Sequence, residues 1–152
     1  MQAFFVAFLL SIVLLPSLLL RYLPFKQFLT PEQNKRLCVW YVVWFVVLLG
    51  LNMYFLQKFG LTYKLYKLAV IVGWLPYLLI NIICIPNRWE QHLFVAGMQT
   101  MYVMLVHGAA VLVLIMLVPK FDMVQFAYLQ TSLFLLIFAA TYPFIHKFFD
   151  RV

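Results

Sequence analysis

The chain has 152 residues, 67% of them hydrophobic and only 10% charged, and its mean hydropathy is +1.03. A soluble domain could not cover that much apolar surface, so lipid is the expected solvent. The formal net charge of +7 comes from basic residues in short segments at helix ends, where they anchor helices and meet anionic headgroups. No basic run accompanies a soluble fold, which excludes nucleic acid as a partner.

Five apolar runs of about 20 residues, the length of a membrane crossing, take up most of the sequence and leave no room for a separate soluble domain. The runs are apolar on all sides rather than alternating, so they are not barrel strands. The helix is the remaining way to satisfy a backbone in lipid. The expected fold class is all-α: a polytopic membrane protein, one bundle of five transmembrane helices with short loops. Their bounds fall at about residues 2–20, 31–56, 61–85, 92–118 and 123–142.

The N-terminal MQAFFVAFLL lacks the basic region and cleavage site of a signal peptide and is read as a retained first helix. Pro16 is expected to kink its last turns by freeing the carbonyl of Ile12. The connection from Arg21 to Arg36, RYLPFKQFLTPEQNKR, is the longest polar one. With Tyr22, Phe25 and Phe28 it is expected to lie in the headgroup layer. Thr30, Pro31 and Gln33 have the spacing of a capping box and open the second helix. Trp40, Tyr41 and Trp44 form an aromatic belt there, and Tyr41, Phe45, Leu48 and Asn52 share one face. That stripe turns Asn52 inward, because an amide facing lipid has no partner.

Gly60 is the expected C-cap before the third helix, whose Lys64 and Lys67 can snorkel to the interface. Ala69 and Gly73 make a small-xxx-small pair suited to close helix approach. Pro76 lies mid-helix, and Gly73, Tyr77, Asn81 and Cys84 share the most polar face. The Leu93–Val118 run contains no Asp, Glu, Lys or Arg, and the bundle is expected to be organised around it. His107 sits near its midpoint, within about 20° of Thr100. The fifth helix should turn Tyr128, Ser132, Leu135, Ala139 and Tyr142 inward and end or kink at Pro143. Ile145 to Val152 reads as an amphipathic exit.

No catalytic constellation is present. The acids Glu32, Glu90, Asp122 and Asp150 are far apart and at helix ends, and no nucleophile elbow, phosphate loop or zinc-protease motif occurs. The chain is therefore not expected to be an enzyme, and no cofactor or metal is called for. His92 is about 22 Å from His107 along one helix, so the two cannot share a haem. Cys38 and Cys84 lack metal or redox spacing. An ionisable group at mid-membrane depth marks a ligand site or a polar contact between helices. The expected inward polar layer is His107, Thr100, Asn81, Tyr77 and Asn52.

The segment RYLPFKQFLTPEQNKRL after a first helix, and YPFIHKFF after a fifth, resemble the N-terminal membrane sensor region of bacterial histidine kinases with a GHKL-type ATPase domain, such as the peptide-pheromone receptor kinases. The resemblance implies a helical region that receives a signal and passes it to a cytoplasmic kinase domain. The phosphoacceptor helix and ATP-binding motifs are absent from this sequence and would have to follow Val152. No binding residue of that family transfers by position.

The leading expectation is a membrane sensor or signal-input module that passes a conformational change to a cytoplasmic signalling partner or a C-terminal kinase domain. A second copy of the chain is an admissible further partner. The alternatives are a small transporter or channel subunit with a polar layer around His107, and a five-helix lipophile-binding protein. Orientation follows from basic residues in short connections. Arg21, Lys26, Lys35, Arg36, Arg88, Lys147 and Arg151 outnumber Lys58, Lys64, Lys67 and Lys120 on the other side. This puts the N-terminus outside and the C-terminus in the cytoplasm.

Overall fold

The computed structural model describes residues 2–86, 88–117, 120 and 122–149, apart from the side chains at positions 2, 63 and 149. The expected turn at Pro119–Asp122 and the end of the exit segment lie partly outside these residues. The elements are α1 (Gln2–Ile12), α2 (Leu15–Tyr22), a 3-10 helix (Leu23–Phe28), α3 (Pro31–Phe59), α4 (Tyr63–Cys84), α5 (Trp89–Leu117) and α6 (Met123–Phe149). Five helical stretches are long and apolar enough to cross a membrane, the first of them spanning Ala3–Phe28. The fold is all-α, as the composition dictates.

Local signals in the sequence place several helix ends. The Thr30 hydroxyl accepts from the Gln33 amide, and the Gln33 side chain accepts from the Thr30 amide, so the capping box is complete. Gly60 ends α3 at φ 68°, a left-handed conformation that favours glycine. Thr62 caps α4 by accepting from the Leu65 amide at 3.2 Å. Other expectations need correction. The first crossing does not stop at Leu20. It breaks after Ile12, and α2 then places Pro16 in its first turn, where a missing N–H leaves no vacancy in the ladder. The helix therefore carries Arg21 inward, and a 3-10 turn buries Leu23, Pro24 and Phe25. Much of the supposed headgroup loop is thus bundle interior. Phe25 stacks on His92, with ring centroids 4.4 Å apart.

Helix α5 starts at Trp89 rather than His92, whose imidazole Nε2 lies 2.9 Å from the carbonyl of Ile85. Helix α6 runs through Pro143 to Phe149, since membrane helices tolerate proline where local adjustments re-satisfy the backbone. Its inward stripe also differs from expectation. Tyr128, Ser132 and Ala139 are exposed, while Ala127, Gln130, Thr131, Phe134 and Phe138 are buried. The aromatic rings fill the interior, with Phe134 edge-on to His107 and Phe138 tilted against Tyr102.

The bundle is organised around the N-terminal crossing, not the fourth. α1 packs on α3, α4 and α6, and α2 packs on α5 and α6. Its apolar window is more than half buried, whereas that of α5 is only 17% buried. Consecutive crossings pack closely except at one place: α4 and α5 touch over a much shorter stretch than α3 and α4 or α5 and α6. At Gly73 the approach is as close as the small-residue pair implies. A methyl group there would come within 2.6 Å of Leu14 Cδ1 and 3.2 Å of Leu48. The Gly73 carbonyl accepts from Trp44 Nε1 at 3.1 Å.

Candidate functional site

The short contact between α4 and α5 leaves a cavity of about 1050 Å³. One wall is α4, through Tyr66, Val70, Ile71 and Trp74. The other is α5, from Thr100 past His107 and Gly108 to Ile115. Val13, Leu14 and Ser17 form the back, with Phe126 and Phe134 of α6. Along α5 the cavity is about 22 Å long. Ile71, Met104, Leu112 and Ile115 are each more than half exposed, so the cavity opens sideways on the exposed apolar flank of the bundle.

His107 stands in this wall. Tyr66 Oη lies 3.3 Å from its Nε2, and Gln130 Nε2 lies 3.3 Å from both its Nδ1 and its carbonyl oxygen. The carbonyl can only accept, so the Gln130 atom facing it is the amide NH₂. That NH₂ also faces Nδ1, which makes Nδ1 an acceptor and assigns the ring proton to Nε2, toward the Tyr66 hydroxyl. His107 is thus a neutral imidazole bridging α4 and α6. Thr100 lines the same cavity but donates its hydroxyl to the carbonyl of Ala96 at 2.7 Å.

The other expected polar residues lie elsewhere. Asn52 is buried and donates to Ser11 Oγ at 3.1 Å, and Ser11 donates on to the carbonyl of Ala7 at 2.9 Å. Asn81 donates to the Tyr41 hydroxyl and to the carbonyl of Tyr77, and the Tyr41 and Tyr77 rings meet edge to face. The five residues therefore form three clusters: His107 with Thr100 at the cavity, Asn81 with Tyr77, and Asn52 alone.

A fourth feature escapes sequence reasoning. Arg21 is only 2% exposed. Its Nε and Nη2 donate to the same oxygen of Gln99, at 2.8 and 2.6 Å, and its guanidinium lies 4.9 Å from the centre of the Trp74 ring. The available signal was the four-residue spacing from Ser17 to Arg21 on a helix that Pro16 begins rather than ends. For Gln130, the signal was an amide inside an apolar run, which requires an inward partner. Among the described residues, no three His, Cys, Asp or Glu side chains come together as a metal site.

The five helices long and apolar enough to cross a membrane mark a multi-pass membrane protein. Comparisons with protein-family models, curated proteins and solved structures return no match, so any finer reading rests on the chain's own geometry.

Proposed function

We propose that the chain is a membrane sensor whose input is a lipophilic molecule drawn from the bilayer into the cavity between α4 and α5. The observation that carries this reading is the cavity itself, which is large, mostly apolar and open on the exposed apolar flank of the bundle, with the His107 cluster as a polar point in its wall. Ligand sites characteristically combine apolar walls with a few placed polar groups. Transport is less favoured, because the polar residues are split among separate clusters instead of following one path. The link to signalling is α6. Its Met123, Phe126 and Phe134 line the cavity, and the same helix continues to Phe149. A ligand that shifts the cavity wall would move this exit end, which the basic-residue bias puts in the cytoplasm.

Gly108 offers a clean test, since nothing lies within 4 Å of a methyl group built on it. Gly108→Phe should fold and place a ring in the middle of the cavity beside His107, dividing the space that a long acyl chain would occupy. In native mass spectrometry of protein released from vesicles, wild type should carry adducts of oleyl alcohol or oleate, and Gly108→Phe should lose them. Equal adducts on both proteins would overturn the reading. Spin labels at Lys35 and Ile145 should change separation when lipophile is added to wild type but not to Gly108→Phe; an unchanged distance in wild type would remove the sensor role. A reporter fused after Val152 should be active only in its cytoplasmic form, and a phosphatase-positive fusion would reverse the orientation.

A further inference from the structure

We infer that the cavity's occupant is an anionic amphiphile whose head group pairs with Arg21 and Tyr77. This inference rests on the lipophile-binding reading above. A guanidinium taken out of water needs compensating charge, and breaking a buried ion pair is strongly destabilising because it leaves one charge uncompensated. Arg21 has no such compensation among the described residues. Its hydrogen-bond acceptor is the neutral amide of Gln99, and Glu32, Glu90 and Asp122 are all exposed at helix starts. Its Nη1 is buried without a partner, and so is the hydroxyl of Tyr77.

Arg21 and Tyr77 line one crevice, together with Gln99, Trp74, Ser17 and Leu14. The crevice is closed to a water-sized sphere as its side chains stand, so a head group enters it only by moving one of them. Leu14, Ser17 and Trp74 also line the large cavity. Ser17 is four residues before Arg21, on the same face of α2. Trp74 lines both spaces, and its ring must turn away from the Arg21 guanidinium for the two to join. A tail lying along α5 then brings its head group to Nη1 and the Tyr77 hydroxyl, two donors that suit the oxygens of a carboxylate or a phosphate. Intramembrane arginines commonly serve as counter-ions in this way.

The test uses the full chain and two matched pairs of probes: oleate against oleyl alcohol, and dioleoyl phosphatidylglycerol against dioleoyl phosphatidylcholine. Wild type should prefer the anionic member of one pair roughly tenfold, as a charge-assisted hydrogen bond implies. The pair showing the preference identifies the source, a free fatty acid or a membrane phospholipid. Arg21→Gln should abolish that preference. Tyr77→Phe, which keeps the ring and is the safer variant for folding, should reduce it severalfold while leaving binding of the neutral member unchanged. Lys67 also lines the cavity, so loss of the preference in Lys67→Gln with retention in Tyr77→Phe would overturn the assignment. Equal binding within both pairs, still sensitive to Gly108→Phe, would overturn the anionic head group and leave the cavity reading intact. No binding of any probe to wild type would overturn both.

Discussion

Single residues in this bundle act through the space and the partners around them. Gly73 is the clearest case. Its missing side chain lets α4 approach Leu14 and Leu48, so added carbon must displace side chains that are themselves buried. Gly73→Ala should lose about 1–3 kcal/mol, the usual range for overpacking. Gly73→Leu should fail to fold. Thermal unfolding in detergent checks both, and a Leu variant as stable as wild type would contradict the packing. For His107 the geometry assigns one tautomer, because Gln130 faces Nδ1 and the backbone carbonyl with the same NH₂ group. Nitrogen-15 chemical shifts should show a neutral ring protonated at Nε2. Gln130→Leu removes that constraint and should move the ring toward a mixture of tautomers; a wild-type ring protonated at Nδ1 would contradict the assignment.

Among the elements, the start of α3 is the most local in its causes. The Thr30 hydroxyl takes one of the backbone donors that the first helical turn leaves without a partner. Thr30→Ala should cost about 1 kcal/mol and raise hydrogen exchange at the Gln33 amide roughly fivefold, while the middle of α3 is unchanged. Protection at Gln33 equal to wild type would show that the cap does not hold the end. The break between α1 and α2 has a less local cause. Pro16 alone suggests a kink in a helix about to end. In the structure it begins a second helix, whose continuation is supported by the burial of Leu18, Leu20 and Arg21 against the rest of the bundle.

At the scale of the whole molecule, the native cysteines report on assembly without any substitution. Cys38 is exposed on α3, and Cys84 is buried at the end of α4. A membrane-permeant maleimide should label Cys38 rapidly and Cys84 only once the bundle opens. Labelling of Cys84 should therefore follow the global unfolding transition. Equal rates under native conditions would show that the end of α4 is not packed as described.

The sequence by itself determined the number of crossings, the all-helical class, the cap at Thr30, the turn at Gly60 and the tight contact at Gly73. Each depends on composition or on residues a few positions apart, and lipid admits few backbone solutions. The inward faces of α3 and α4 were legible where polar residues such as Asn52, Tyr77 and Asn81 required partners, whereas those of α5 and α6 were decided only by the tertiary structure. In water a helix reveals its inner face by being apolar there and polar elsewhere. In a bilayer the surroundings are as apolar as the core, so α5 carries almost no such signal, and van der Waals fit decides its rotation. Asn52 was legible because an amide facing lipid has no partner, while Phe134 and Phe138, apolar in either setting, had to be seen packed against their neighbours. Arg21, which charge alone assigns to a loop, was found inside the bundle beside Gln99, a residue 78 positions away. No local pattern encodes such a pairing, because it exists only once two distant helices have docked.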